Sequence, residues 1–314
     1  MTLKTQKIVS ASLIAIVAIG GFQALIYILN LNQIGIFLQV AFWIWIYLWF
    51  KISLLYDLHF KNPGALARAK ARHESIPHWL KRSFRIWITA LWNRFEHIFK
   101  WKNLRQCLNY LLLPGFVFWA TTAIFYVNLG QIQIQQIYAW LSTVALVVAF
   151  WYLKEAFSRR KEVVDKDIFV ALSVVKIYAV AVSYAATMAI MRRFCLEPWL
   201  FSLGIFSLTF LFIYQALFQH KKININTMLV TMVIAGVLAT LGYFVYINWG
   251  FNYLTAAIFM TAFYNLFWGA YHYHLDRALT KKAFLEILLI CLLIAYLVLT
   301  NTNFKAKILD GCVF

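Results

Sequence analysis

Nine apolar runs follow one another along this chain, and its lysines and arginines gather at every second junction between them. Each run is about twenty residues long, enough for a helix to cross the roughly 30 Å hydrocarbon layer of a bilayer. Inside that layer a backbone N–H or C=O has no water to bind, so each run must satisfy its own polar groups as a helix. The pattern predicts an all-α fold: a polytopic integral membrane bundle with spans near 8–29, 34–56, 108–129, 133–156, 167–190, 197–219, 226–247, 250–272 and 283–301. Strand-type alternation is missing, which excludes an outer-membrane barrel.

Composition agrees. Of 314 residues, 63% are apolar and only 13% charged, with a mean hydropathy of +0.73. Nine spans take up about 200 residues, leaving no room for a soluble domain of ordinary size. Residues 1–314 therefore read as a single membrane-integrated domain that includes an interfacial segment, 58–107.

Charge sets the orientation. Lys4 and Lys7, the block from Lys61 to Arg105, the Arg159–Lys166 cluster, Lys221 with Lys222, and Arg277 with Lys281 and Lys282 all fall on one side, which takes 24 of the 29 basic residues once Lys51 and Lys154 are counted with it. Positive loops stay in the cytoplasm, so the N-terminus is expected inside and the C-terminus outside the cell membrane. Arg192 and Arg193 fall on the outer side, with Glu197 close by as an expected ion-pair partner. The net charge of +18 is then a matter of topology and anionic headgroups rather than nucleic acid.

Within the large inner loop, Asn62-Pro63-Gly64 reads as a turn. Leu80, Phe84, Trp87, Leu91, Phe95 and Ile98 then recur at helical spacing, opposite Arg82, Arg85, Glu96 and Lys100. This predicts a basic amphipathic helix over about 78–105, lying in the headgroup plane on the cytoplasmic face. Its expected partners are anionic membrane lipids.

The four cysteines have no metal-ligand spacing and read as inert thiols, with a Cys195–Cys312 disulfide left open by their shared outer side. The apolar run after Lys7 is too long for a cleaved signal and reads as a first span. Twelve glycines and four prolines, with Pro114 and Pro198 expected near helix starts, argue against the broken helices of inverted-repeat transporters.

The eighth run carries the most suggestive polar pattern. Asn265, Trp268, His272 and Asp276 follow at spacings of three, four and four, and so share one helical stripe. A carboxylate four residues from an imidazole orients it and raises its basicity, as a general base requires. Lys176 lies within the fifth run, where an ammonium costs roughly 2.5–3.5 kcal/mol and is a functional candidate by default. Glu286 and Glu155 are its expected carboxylate partners.

All seven histidines fall near the inner side, but the HxxxH and HxxHH boxes of membrane di-iron desaturases are missing. No metal site is expected, and no motif names a cofactor. Three functions remain in contention. The first is an enzyme acting on a lipid or polyprenyl phosphate at the cytoplasmic leaflet. In it His272 is the base, Asp276 orients it, Lys176 and Arg277 stabilise the anion, and Asn265, Trp268 and Glu286 complete the site. The second is a transporter or channel built on a Lys176–carboxylate pair. The third is a non-catalytic scaffold that binds lipid through residues 78–105.

Overall fold

The computed structural model describes the backbone of residues 3–60, 101–158, 166–219, 222–249 and 252–302. Side chains are described at residue 12 and over 14–48, 111–152, 170–218, 222–249 and 252–302. The described residues form nine helices and no strands. In chain order these are α1 (Leu3–Asn30), α2 (Ile34–Phe60), α3 (Trp101–Val127), α4 (Ile132–Ser158), α5 (Lys166–Arg193), α6 (Pro198–Gln219), α7 (Ile225–Asn248), α8 (Tyr253–Leu275) and α9 (Lys281–Asn301).

Each helix falls on one of the apolar runs. Five contain stretches long and apolar enough to cross a membrane: Ile132–Tyr152, Val170–Arg193, Pro198–Phe218, Ile225–Asn248 and Lys281–Asn301. The described parts of α1, α2 and α3 hold shorter apolar stretches. Helix α8 is not in this set, because tyrosines, threonines, Asn265 and two histidines dilute its apolar residues.

Helix α5 sits at the centre, packed against α3, α4, α6 and α8. It can do so because Ala179, Ala185, Ala186 and Ala189 are buried and let neighbouring backbones approach. Lipid supplies no hydrophobic drive between helices, so small residues and interhelical hydrogen bonds hold a bundle together. Polar ties of this kind recur. Gln23 and Gln136 exchange amide hydrogen bonds of 2.6 and 2.8 Å between α1 and α4. Tyr184, the largest fully buried side chain, meets Thr209 of α6 at 2.6 Å.

Three helices end alike. Asn32, Cys195 and Arg277 adopt left-handed backbones with φ of 59°, 49° and 56°. In each case that residue and the next return their N–H groups to the last helical turn, as Gln33 does to Ile28, Leu196 to Met191 and Ala278 to Tyr273. This stop satisfies carbonyls that the helix leaves orphaned.

Several expectations are corrected. Pro114 lies inside α3 rather than near its start, because the helix begins at Trp101. The same extension takes residues 101–105 into α3, while the rest of the expected interfacial helix, 78–100, lies outside the described residues. Cys195 is disulfide-bonded rather than an inert thiol. Among the described residues no ion pair joins Arg192 or Arg193 to Glu197. Arg192 instead donates to the Trp249 carbonyl at 2.7 Å and lies over the Tyr246 ring, Arg193 lies over Tyr126, and Glu197 accepts from the Trp199 indole. Cation–π and carbonyl contacts leave no ammonium or guanidinium bare at a membrane interface, so a carboxylate is not required.

Among the described glycines, the one with least room for a side chain is Gly115, where α2 meets α3. A Cβ placed on Gly115 would lie 2.6 Å from the Trp45 ring. Gly115→Ala is therefore expected to lower stability by about 1–3 kcal/mol through overpacking. Trimming the neighbour with Trp45→Phe should recover part of that loss in a double-mutant cycle of thermal unfolding. Additive effects of the two changes would show that the contact is not the cause.

Candidate functional site

The end of α8 is where polar side chains converge. Asp276 caps this helix, Arg277 takes the left-handed stop, and Thr280 restarts the chain as the N-cap of α9, accepting from Ala283 N–H at 3.1 Å. Opposite lies the short turn between α6 and α7, held rigid from both sides. Asn224 and Thr227 form a capping box, the Thr227 hydroxyl donates to the Lys222 carbonyl at 2.9 Å, and Lys222 N–H returns to Leu217 O at 3.0 Å.

That turn delivers the Lys222 ammonium to the end of α8. It donates to Leu275 O at 2.9 Å and pairs with the Asp276 carboxylate. A cation on the last carbonyls of a helix also meets the negative end of the helix dipole. Lys222 was legible in the sequence only as an inner-loop charge; nothing local points it at α8.

His272 stands one turn back. Its ring packs against Trp268 with centroids 5.4 Å apart, and its Nε2 lies 3.6 Å from Asp276 Oδ2. That distance is an electrostatic contact but beyond hydrogen-bond length. The expected neighbours His272 and Asp276 thus lie side by side, and the carboxylate also pairs with Lys222. An ammonium competes better for a carboxylate than a neutral imidazole does.

Lys176 reaches the same place from α5. The charges of Asp276, Lys176 and Lys222 all act on the His272 ring. Three stretches far apart in sequence, one turn and two helices, therefore share one electrostatic neighbourhood. The expected Lys176–Glu286 pair is not formed. Glu286 is exposed on α9, and among the described residues no carboxylate ion-pairs with Lys176. The side chain of Glu155 lies outside the described residues. The reason is geometric: α9 packs against α8, not α5.

The remaining candidates border this cluster. Trp268 is half-buried against the core, and Asn265 is half-buried one turn further along α8. Arg277 is exposed at the rim. Among the described residues no three His, Cys, Asp or Glu side chains stand close enough to hold a metal ion. Chemically, the arrangement offers two ammonium groups and one imidazole to an anion, with an indole wall beside them.

Lys222 should be structural as well as electrostatic. Lys222→Met is expected to cost about 1 kcal/mol, since it removes a partner from the α8 terminus and from Asp276 at a partly exposed site. Thermal unfolding in detergent measures this, and an unchanged midpoint would show that the turn does not depend on the ion pair.

No protein-family model, curated protein or solved structure matches this chain.

Proposed function

We propose that this helical membrane protein is an enzyme that binds a lipid phosphate or polyprenyl phosphate at the cytoplasmic leaflet. Lys176, Lys222 and Arg277 hold the phosphate, His272 transfers the proton, and Trp268 and Asn265 line the wall. One observation carries the reading: the Lys176 ammonium, set within a membrane-spanning segment, lies within electrostatic reach of His272 and has no carboxylate partner among the described residues. A charge in that setting is costly unless something compensates it, and an anionic ligand would. The same observation removes Glu286 as the partner in a transporter built on a Lys176–carboxylate pair.

The orientation is part of the proposal. The N-terminus lies in the cytoplasm and the site on the cytoplasmic face of the cell membrane, as the lysine and arginine bias requires. The disulfide at Cys195 supports this, because the turn that follows α5 then faces the oxidising exterior. Anionic lipids gathered by the basic segment 58–107 would supply substrate to the site.

The test uses the full chain in lipid nanodiscs containing a long-chain lipid phosphate. His272→Ala should abolish turnover while leaving phosphate-lipid binding nearly intact. Retained turnover would remove His272 from the mechanism. Absence of turnover in the unmodified protein, with binding intact, would reduce the function to lipid binding.

A further inference from the structure

At the opposite end of α8 the bundle is cleft rather than filled. A cavity of about 350 Å³ lies between α4, α5 and α8. Its floor is kept open by small residues, Ala181 and Ala257 among them, and its rim by Ile137, Leu141 and Ile258, which are exposed on the outside of the bundle. The volume is at the lower end of ligand pockets. Because Ile137 and Leu141 of the rim belong to a helix long and apolar enough to span a membrane, we take the cleft to open sideways toward hydrocarbon.

Three phenols mark its polar end, and the hydrogen-bond directions of two are fixed. Thr121 donates to the Val117 carbonyl at 2.7 Å, and a carbonyl can only accept. Ser142 must then donate to Thr121, and Tyr178 to Ser142 at 2.7 Å. Tyr253 donates to Asn128 Oδ1 at 2.8 Å, since the Asn128 amide nitrogen is committed to Ile124 O. Tyr138, which lines the cleft within electrostatic reach of both, makes no hydrogen bond among the described residues. Its O–H therefore takes its acceptor from outside the described residues.

Tyr138 lies six residues into α4, about 9 Å along the helix from its first residue, and so within the span rather than at the turn before it. We propose that the cleft seats one acyl chain of an ester-linked phospholipid, with the Tyr138 hydroxyl donating to the ester carbonyl. Recognition is by an acceptor at the head of a hydrocarbon chain: the Tyr178 and Tyr253 protons are spent, so among these three phenols Tyr138 is the one with an O–H to donate. This site is independent of the phosphate site proposed above. Leu254 at the cleft and His272 are eighteen residues apart on α8, about 27 Å.

The test loads the full-length protein from vesicles of ester-linked and ether-linked phosphatidylglycerol, equal in amount and chain length, and counts retained lipid by native mass spectrometry. The expected result is one retained lipid, ester over ether by about fivefold, the worth of one hydrogen bond. Tyr138→Phe should bring that ratio to one, and Ala181→Phe, which fills the floor, should release both lipids. Equal retention of ester and ether lipid by the unmodified chain would overturn the proposal, as would full retention by a folded Ala181→Phe variant. Recovery of a polyprenyl chain in place of phospholipid from native membranes would overturn the choice of occupant. If Ala181→Phe does not fold, the ester-to-ether ratio of Tyr138→Phe decides alone.

Discussion

Lys176→Met is expected to stabilise the protein while weakening its grip on a lipid phosphate. An ammonium on a spanning helix with no carboxylate partner among the described residues costs the fold about 1–2 kcal/mol even after its long stem reaches toward the interface. Methionine keeps the stem and removes the charge, so the thermal midpoint should rise. The same change deletes a cation whose field reaches His272. Losing one partner of a desolvated charge pair costs about 2 kcal/mol or more, a drop in phosphate-lipid affinity of roughly thirtyfold. Lys176→Arg should keep most of the binding. The opposite signs are the diagnostic part. A Lys176→Met protein that loses stability and binding together would mean that the lysine is tied into the bundle, and the phosphate site would have to be placed elsewhere.

The second large effect concerns the fold alone. Gln135 is fully buried at the start of α4 and joins three helices. Its amide nitrogen donates to Phe125 O at 3.2 Å and Asn128 O at 3.1 Å at the end of α3, and its oxygen accepts from Asn30 of α1 at 3.2 Å. Asn128 O has a second donor in Gln131 N–H, and Asn30 also binds Ile26 O, but the Phe125 carbonyl would be left bare. Gln135→Leu is therefore expected to cost about 3 kcal/mol: one stranded carbonyl, one half-satisfied amide and a lost tie between helices. Unfolding in a mild detergent measures it. A loss below about 1 kcal/mol would indicate that water reaches this end of the bundle and replaces the amide.

Much of the helical layout could be read directly. Each apolar run became a helix, with ends within a few residues of expectation at α6, α7 and α9. The start of α3 was misjudged by seven residues, because Trp101, Lys102 and Arg105 look interfacial by composition yet continue the helix. The stops at Asn32, Cys195 and Arg277 carried no signal at two of three positions, since only asparagine commonly takes the left-handed conformation there. Of the site, the stripe from Trp268 to Asp276 was legible because helical spacing is a local rule. Lys222 was not, and neither was the cleft beside Tyr138, which three helices enclose and no single one announces.

Hydropathy and charge along the chain decided where helices form, because a backbone in lipid has no other way to bind its own polar groups. Which carboxylate meets which ammonium was a different kind of question. Asp276 went to Lys222 because a four-hydrogen-bond turn carries that lysine to the end of α8, and Lys176 was left without Glu286 because α9 packs on α8 rather than on α5. Packing between helices sets those distances, and side-chain partners in a bundle follow distance rather than order in the sequence.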